Sequence, residues 1–182
     1  MTYFVPEEQT LTPVAVNNMN KNIISGFTLI EIILYVGIIT IVFGSIVPFA
    51  WNVIRGGVKS ATQQNVDANS GFISEKIKYE IRNASGITSV TANSISLTNF
   101  APDTSTVIDL SGGRVRINKN GAGNVNISSD DVTVTDLTFT NNSSGDNLTK
   151  NIGYTLTVTM SGSRQEYQST LSLRGGVEVR SN

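Results

Sequence analysis

The sequence predicts an α+β protein: one long N-terminal helix, membrane-spanning in its first half and amphipathic in its second, packed on a small antiparallel β-sheet domain. Three observations predict this class. Residues 27–54 are apolar with a single charge, residues 55–86 carry apolar side chains every three or four positions, and residues 87–182 alternate apolar and polar side chains in short blocks. A sheet with one apolar face needs a cover, and the amphipathic helix is the available one.

Composition restricts the function. The chain has 182 residues with 13 basic and 14 acidic side chains, a balance that gives no electrostatic case for binding nucleic acid. It contains no histidine and no cysteine, which excludes thiol chemistry, disulfide frameworks, histidine-based triads and Cys/His zinc sites. We therefore expect a non-catalytic protein without metal or cofactor; a membrane-anchored hydrolase would lack a nucleophile and its base.

The apolar stretch indicates a membrane span. From Phe27 to Ile54 the only charged side chain is Glu31. As a helix rising ~1.5 Å per residue, the part from Phe27 to Val47 is ~31 Å long, which is enough to cross a bilayer once. Apolar residues surround the whole helix, whereas a core helix of a soluble protein keeps a polar side.

The helix is expected to continue as an amphipathic segment to about Ala84, with Gly86 as its stop, because Val66, Ile73 and Ile77 keep helical spacing. Proline inside the apolar stretch lacks the N–H that would reach the Gly44 carbonyl, so Pro48 is predicted to break the helix.

The β-rich part reads as one small antiparallel sheet. In "GYTLTVTM" the side chains of Tyr154, Leu156 and Val158 point to one face and the threonines to the other. In "VTVTDLTFT" the alternation slips at Asp136, which predicts a bulge or a change of strand there.

The segment "GFTLIE", residues 26–31, combines a Gly-Phe junction with a glutamate at the fifth position after it and a long apolar run. In this it resembles the type IV prepilin and pseudopilin family. Pro48, the twenty-second residue counting Phe27 as the first, strengthens the resemblance. The likeness covers residues 19–84 well and the β-rich part in outline, where short strands and the closing "STLSLRG" look more like a minor pilin or pseudopilin than a major one.

The resemblance implies a mechanism. Prepilin peptidase would cut between Gly26 and Phe27, remove residues 1–26 as a leader and methylate the new amine of Phe27. The subunit would stand as a single-pass protein in the cytoplasmic membrane and then pass, with an inner-membrane assembly platform, into an extracytoplasmic filament at the cell surface. There Glu31 would pair with the terminal amine of a neighbouring subunit.

The residues themselves add an assembly feature. Gly37, Thr40 and Gly44 fall on one face of the helix at spacings of three and four, which lets a second helix approach closely.

The favoured interpretation is a non-catalytic subunit of a type IV pilus, a type II secretion system or a DNA-uptake filament, with other pilin subunits as partners. The alternative is a membrane-anchored, adhesin-like β-domain that does not polymerise. The leader is long and has Lys21 as its only basic side chain, and "MNKNIISG" alone resembles an ordinary leader. A chain beginning at Met19 is therefore expected to be inserted and processed normally.

Two further patterns have an ordinary explanation beside a functional one. Arg114, Arg116 and Lys119 alternate along one predicted strand; they could meet a phosphate backbone, but a solvated strand face is favoured. The acidic groups Asp130, Asp131 and Asp136, or Asp146 with Asn147 and Asn151, could hold calcium, but neither has EF-hand spacing and loop polarity is favoured.

Overall fold

The computed structural model describes residues 26–145 and 149–180, which form two compact units divided between Ser45 and Ile46. The predicted leader up to Ser25 lies outside the described residues. One helix, α1 (Leu29–Arg82, 54 residues), begins in the first unit and ends in the second. The long N-terminal helix that the sequence predicts is therefore present, and the α+β class is confirmed.

The apolar half of α1, residues 29–54, contains no buried residue. Every residue in it is exposed except Glu31, which is half-buried. The helix is long and apolar enough to cross a membrane.

The packed half of α1, residues 55–82, buries one face at helical spacing. The buried side chains are Thr62, Val66, Ser70, Ile73, Ser74, Ile77, Glu80 and Ile81. This confirms the predicted amphipathic segment. The aromatic residue beside the stripe, Phe72, is exposed.

The predicted stop of the helix is wrong by a few residues. The helix ends at Arg82, the amide of Asn83 still donates to Tyr79 O at 3.1 Å, and strand β1 starts at Ala84. Gly86 lies inside β1, at a shift in the register with β2. Ala84 enters the core as a strand residue, and pairing with β2 decides the end of the helix rather than a glycine cap.

The single predicted sheet is two antiparallel sheets. The first is a five-stranded meander in chain order: β1 (Ala84–Thr91), β2 (Ser94–Asn99), β3 (Ser105–Ser111), β4 (Arg114–Lys119) and β5 (Asn124–Asn126). The second has three strands in chain order: β6 (Thr133–Asn141), β7 (Asn151–Met160) and β8 (Ser169–Glu178), with a short 3-10 helix, Gln165–Tyr167, between β7 and β8.

Strand β6 links the two sheets without joining them into one. Val134 N donates to Gly113 O at 2.9 Å, and Phe139 N donates to Ala92 O at 3.0 Å. Both acceptors lie at hairpin turns of the five-stranded sheet, so β6 runs past its turns rather than along a strand. The predicted irregularity at Asp136 is confirmed, because the register of β6 with β7 shifts between Val134 and Asp136.

One hydrophobic core joins the packed half of α1 to both sheets. Its fully buried members include Ile77 of the helix, Ile108 of β3 and Leu156 of β7. A polar contact lies within it: Ser74 Oγ and Tyr154 Oη are 2.6 Å apart and share a hydrogen bond. This bond gives the buried hydroxyl of Tyr154 a hydrogen-bond partner and holds its ring against the helix.

The Tyr154 ring rests on a glycine of the neighbouring strand, and this contact is testable. A methyl group on Gly175 would lie 2.5 Å from Tyr154 Cζ, whereas one on Gly176 would meet nothing nearer than Asn151 Oδ1 at 3.8 Å. We expect Gly175→Ala to lower the free energy of unfolding by about 1–3 kcal/mol, because the ring must move, and Gly176→Ala to leave it nearly unchanged. Urea unfolding of the full chain in detergent, followed by circular dichroism, measures both; equal stabilities would contradict this packing.

Candidate functional site on helix α1

The candidate site begins where α1 begins. Gly26, Phe27 and Thr28 precede the helix without regular structure, and the Phe27 side chain is 72% exposed. The Gly26–Phe27 peptide bond therefore lies in exposed, non-helical chain. Such a segment can adopt the extended conformation that peptidases require.

Thr28 caps the first turn. Glu31 N donates to Thr28 Oγ1 at 3.3 Å and to Thr28 O at 3.1 Å, and Ile32 N donates to Thr28 O at 3.2 Å. The Glu31 amide is thus shared between the carbonyl and the side-chain oxygen of Thr28, which caps the helix start. Thr28 and Glu31 have the spacing of a capping box, which places Glu31 at the third position of the helix.

The carboxylate of Glu31 has one neighbour within its own helix. Tyr35 Oη donates to Glu31 Oε1 at 3.3 Å, one helical turn further on. Among the described residues, no cation forms an ion pair with this carboxylate. A neutral hydroxyl at this distance compensates a carboxylate less than a cation does.

Sequence reasoning identified Glu31 but missed Thr28 and Tyr35. Both were present as patterns: Thr-x-x-Glu immediately before an apolar run predicts a capping box, and a tyrosine four residues after a glutamate faces it on a helix.

The predicted small-residue stripe lies on an exposed face of the first unit. A methyl group added to Gly37 or to Gly44 would meet nothing within 4 Å. Thr40 is also exposed, and its Oγ1 donates to Val36 O at 2.7 Å. Its hydroxyl is satisfied inside the helix, so the stripe presents a shallow surface that needs no hydrogen-bond partner.

The predicted break at Pro48 is wrong, since α1 continues through Pro48 as one element. Proline removes one backbone hydrogen bond, but its φ is compatible with a helix, and the turns on either side keep their bonds. The site residues thus lie along one uninterrupted helix.

The basic residues of β4 are paired rather than freely solvated. Arg114 pairs with Asp130 at 2.7 Å and Arg116 with Asp109 at 2.6 Å, and both arginine side chains are partly exposed. These pairings leave the guanidinium groups engaged within the chain. The three basic residues thus lie on a partly exposed strand face, and ion pairs within the chain refine the predicted solvated face.

The third basic residue of β4, Lys119, reaches a buried acid of the helix. Lys119 Nζ lies 3.2 Å from Glu80 Oε2 and 3.1 Å from Asp103 Oδ2, and Lys76 Nζ lies 3.0 Å from Glu80 Oε1. Partial burial alone would lower the pKa of Lys119, but the hydrogen bonds to Asp103 and Glu80 outweigh it and raise that pKa. This cluster ties α1 to the five-stranded sheet.

The acidic residues considered for calcium are not grouped into a site in the described part of the chain. Asp130 pairs with Arg114, and Asp131 Oδ2 accepts a hydrogen bond from Ser129 Oγ at 3.3 Å. Asp146 and Asn147 lie outside the described residues. Over residues 26–145 and 149–180, no three acidic side chains come together as ligands of one metal ion.

Comparisons with protein-family models, with curated proteins and with solved structures give no match to this chain.

The cap at Thr28 gives a prediction for the first turn of α1. Thr28→Ala removes the side-chain acceptor of the Glu31 amide and leaves only the backbone carbonyl of residue 28. The loss of about 1 kcal/mol in the first turn should make the amides of Glu31 and Ile32 exchange with solvent about fivefold faster. Thr28→Ser should retain their protection. Thr40→Ala, which alters a threonine in mid-helix, is the matched control. Amide exchange of the full chain in detergent micelles measures all three; unchanged exchange in Thr28→Ala would contradict the cap.

Proposed function

We propose that this chain is a non-catalytic structural subunit, a minor pilin or pseudopilin, of a type IV pilus, type II secretion or DNA-uptake filament. One observation carries the proposal. Helix α1 is exposed and apolar around a single carboxylate in its first half, and is buried against a β-rich unit in its second.

The apolar half of α1 requires two successive environments in this proposal. A continuous, exposed apolar surface of this size in water would drive aggregation. Lipid covers it while the subunit is a single-pass protein in the cytoplasmic membrane, and the helices of neighbouring subunits cover it in the filament.

Proteolytic processing prepares the subunit to pass from the membrane into the filament. Prepilin peptidase cuts the exposed bond between Gly26 and Phe27, and the new amine of Phe27 is methylated. Glycine before the cut places no side chain in the way of the enzyme. The assembly platform then draws the helix out of the bilayer into a filament at the cell surface.

Glu31 is the docking group. A carboxylate in the hydrocarbon costs roughly 2.5–3.5 kcal/mol on insertion scales, and the Tyr35 hydroxyl offsets only part of this. The positive terminal amine of a neighbouring subunit provides the missing counter-charge. The exposed stripe of Gly37, Thr40 and Gly44 lets the two helices come close enough for the pair to form.

The continuity of α1 through Pro48 also fits a second candidate, a permanently anchored, adhesin-like β-domain that never polymerises. An unbroken helix serves a static anchor equally well. The two candidates differ over Glu31, because a permanent anchor gains nothing from an acid in its apolar half.

Substitution of Glu31 separates them. Glu31→Leu makes the helix more apolar, so insertion and cleavage should persist, while incorporation into filaments should fall at least about a hundredfold, since breaking a buried charge pair costs about 3–5 kcal/mol. Glu31→Asp keeps the charge with a shorter reach and should be milder. The measurement is the protein in sheared surface filaments relative to the membrane fraction.

Asn52→Leu is the matched control, because it introduces the same side chain at an exposed position of the same helix without removing a charge. It should partition as the wild type does. Equal partitioning of Glu31→Leu and wild type would reject the docking role and favour the permanent anchor.

A further inference from the structure

An open groove of about 960 Å³ lies within the second unit, between α1 and the connection from β7 to β8. The helix contributes Pro48, Trp51 and Arg55 to its walls. The connection contributes its 3-10 helix, with Glu166 and Tyr167, and the preceding Arg164. One groove thus combines apolar, aromatic and cationic surface.

The connection is fastened to the helix, so the groove is preformed. The buried Thr62 donates through Oγ1 to Glu166 O at 3.0 Å, and Lys59 Nζ donates to Gln168 O. Gln168 Nε2 in turn donates to Gly162 O at 3.0 Å, which is a hydrogen bond between the two ends of the connection. Ligands therefore meet a fixed wall rather than a loop that must first be ordered.

The length of the apolar stretch places this groove at the level of lipid headgroups. Residues 29–54 of α1 are about 39 Å long, whereas the hydrocarbon core is about 30 Å thick and the whole bilayer with its headgroups about 40–45 Å. The last turns of the stretch, which contain Pro48 and Trp51, consequently reach the polar layer. Trp51 and Tyr167 are 55% and 45% exposed, and such aromatic side chains favour that layer.

The charges of the groove favour an anion. The groove is lined by two cationic side chains, Arg55 and Arg164, and by one acidic side chain, Glu166. Arg164 Nη1 lies 4.0 Å from Glu166 Oε1, a distance too long for a hydrogen bond, and its side chain is 72% exposed. Its planar guanidinium remains available to bind two oxygens of a phosphate.

We propose that this groove binds the phosphate headgroup of an anionic phospholipid of the membrane that holds α1. The two arginines contact the phosphate, and the apolar wall at Pro48 and Trp51 receives the start of an acyl chain. The inference rests on the membrane-anchored stage of the proposed function and adds a lipid preference to it. Extraction into a filament would then require this headgroup to be released.

The test uses Trp51, the only tryptophan of the chain, as the probe. The full chain is reconstituted into bilayers of equal parts phosphatidylcholine and phosphatidylglycerol, with bromine, which quenches tryptophan, carried by one lipid or by the other. We expect stronger quenching when phosphatidylglycerol carries the bromine. Each cation near a membrane surface contributes about fivefold, so Arg55→Gln and Arg164→Gln should each lower the preference by about that factor.

Further variants make the assignment specific. Arg164→Lys, which keeps the charge, should retain most of the preference, and Glu166→Gln, which removes the competing acid, should raise it. Arg82→Gln is the matched control: it removes one arginine from the same helix about 40 Å beyond Arg55 and should change nothing.

Equal quenching by the two lipids, or a preference untouched in Arg164→Gln, would overturn the proposal. Loss of the preference on adding inorganic phosphate would overturn it in favour of a site for soluble anions. Loss of quenching by both lipids at high protein density would assign the groove to a second copy of the chain. Co-flotation of the protein with the vesicles distinguishes failure of the lipid preference from failure of membrane anchoring. A chain that floats with the vesicles but shows no lipid preference overturns this inference alone. A chain that does not float overturns membrane anchoring as well.

Discussion

Burial of one face of α1 against two sheets is the interaction on which the rest of the structure depends. Val66, Ile73 and Ile77 have no exposed surface, and they meet apolar side chains from both sheets in one core. The sheets touch each other mainly through β6 and a few backbone hydrogen bonds at hairpin turns. Without the helix each sheet would expose an apolar face, so the packed half of α1 organises the whole second unit.

The apolar half of the same helix is exposed, whereas its packed half is buried. None of residues 29–54 is buried within the described chain, and all of them except the half-buried Glu31 are exposed. Thr28 caps the backbone amide of Glu31, and Tyr35 donates a hydrogen bond to its carboxylate. One continuous helix therefore joins a folded unit to an exposed apolar segment that is long enough to cross a membrane, which is the arrangement that the proposed filament subunit uses.

Local patterns in the sequence predicted much of this structure. The apolar run, the amphipathic stripe and the irregularity at Asp136 follow from side-chain periodicity along neighbouring residues. Two features that the sequence did not predict depend on contacts between residues far apart in the chain. The pairing that divides the strands into two sheets, and the ion pair between Lys119 and Glu80, join positions far apart in the chain. The break predicted at Pro48 failed because a long helix tolerates the loss of one hydrogen bond.

If the proposed processing occurs, the mature chain begins at Phe27 with a methylated terminal amine. The intact mass of the protein taken from its own cells tests this most directly. The account predicts a chain without the first 26 of its 182 residues, 156 residues long, and heavier by one methylene than the unmodified sequence. A full-length chain in the surface fraction, still carrying residues 1–26, would contradict the account.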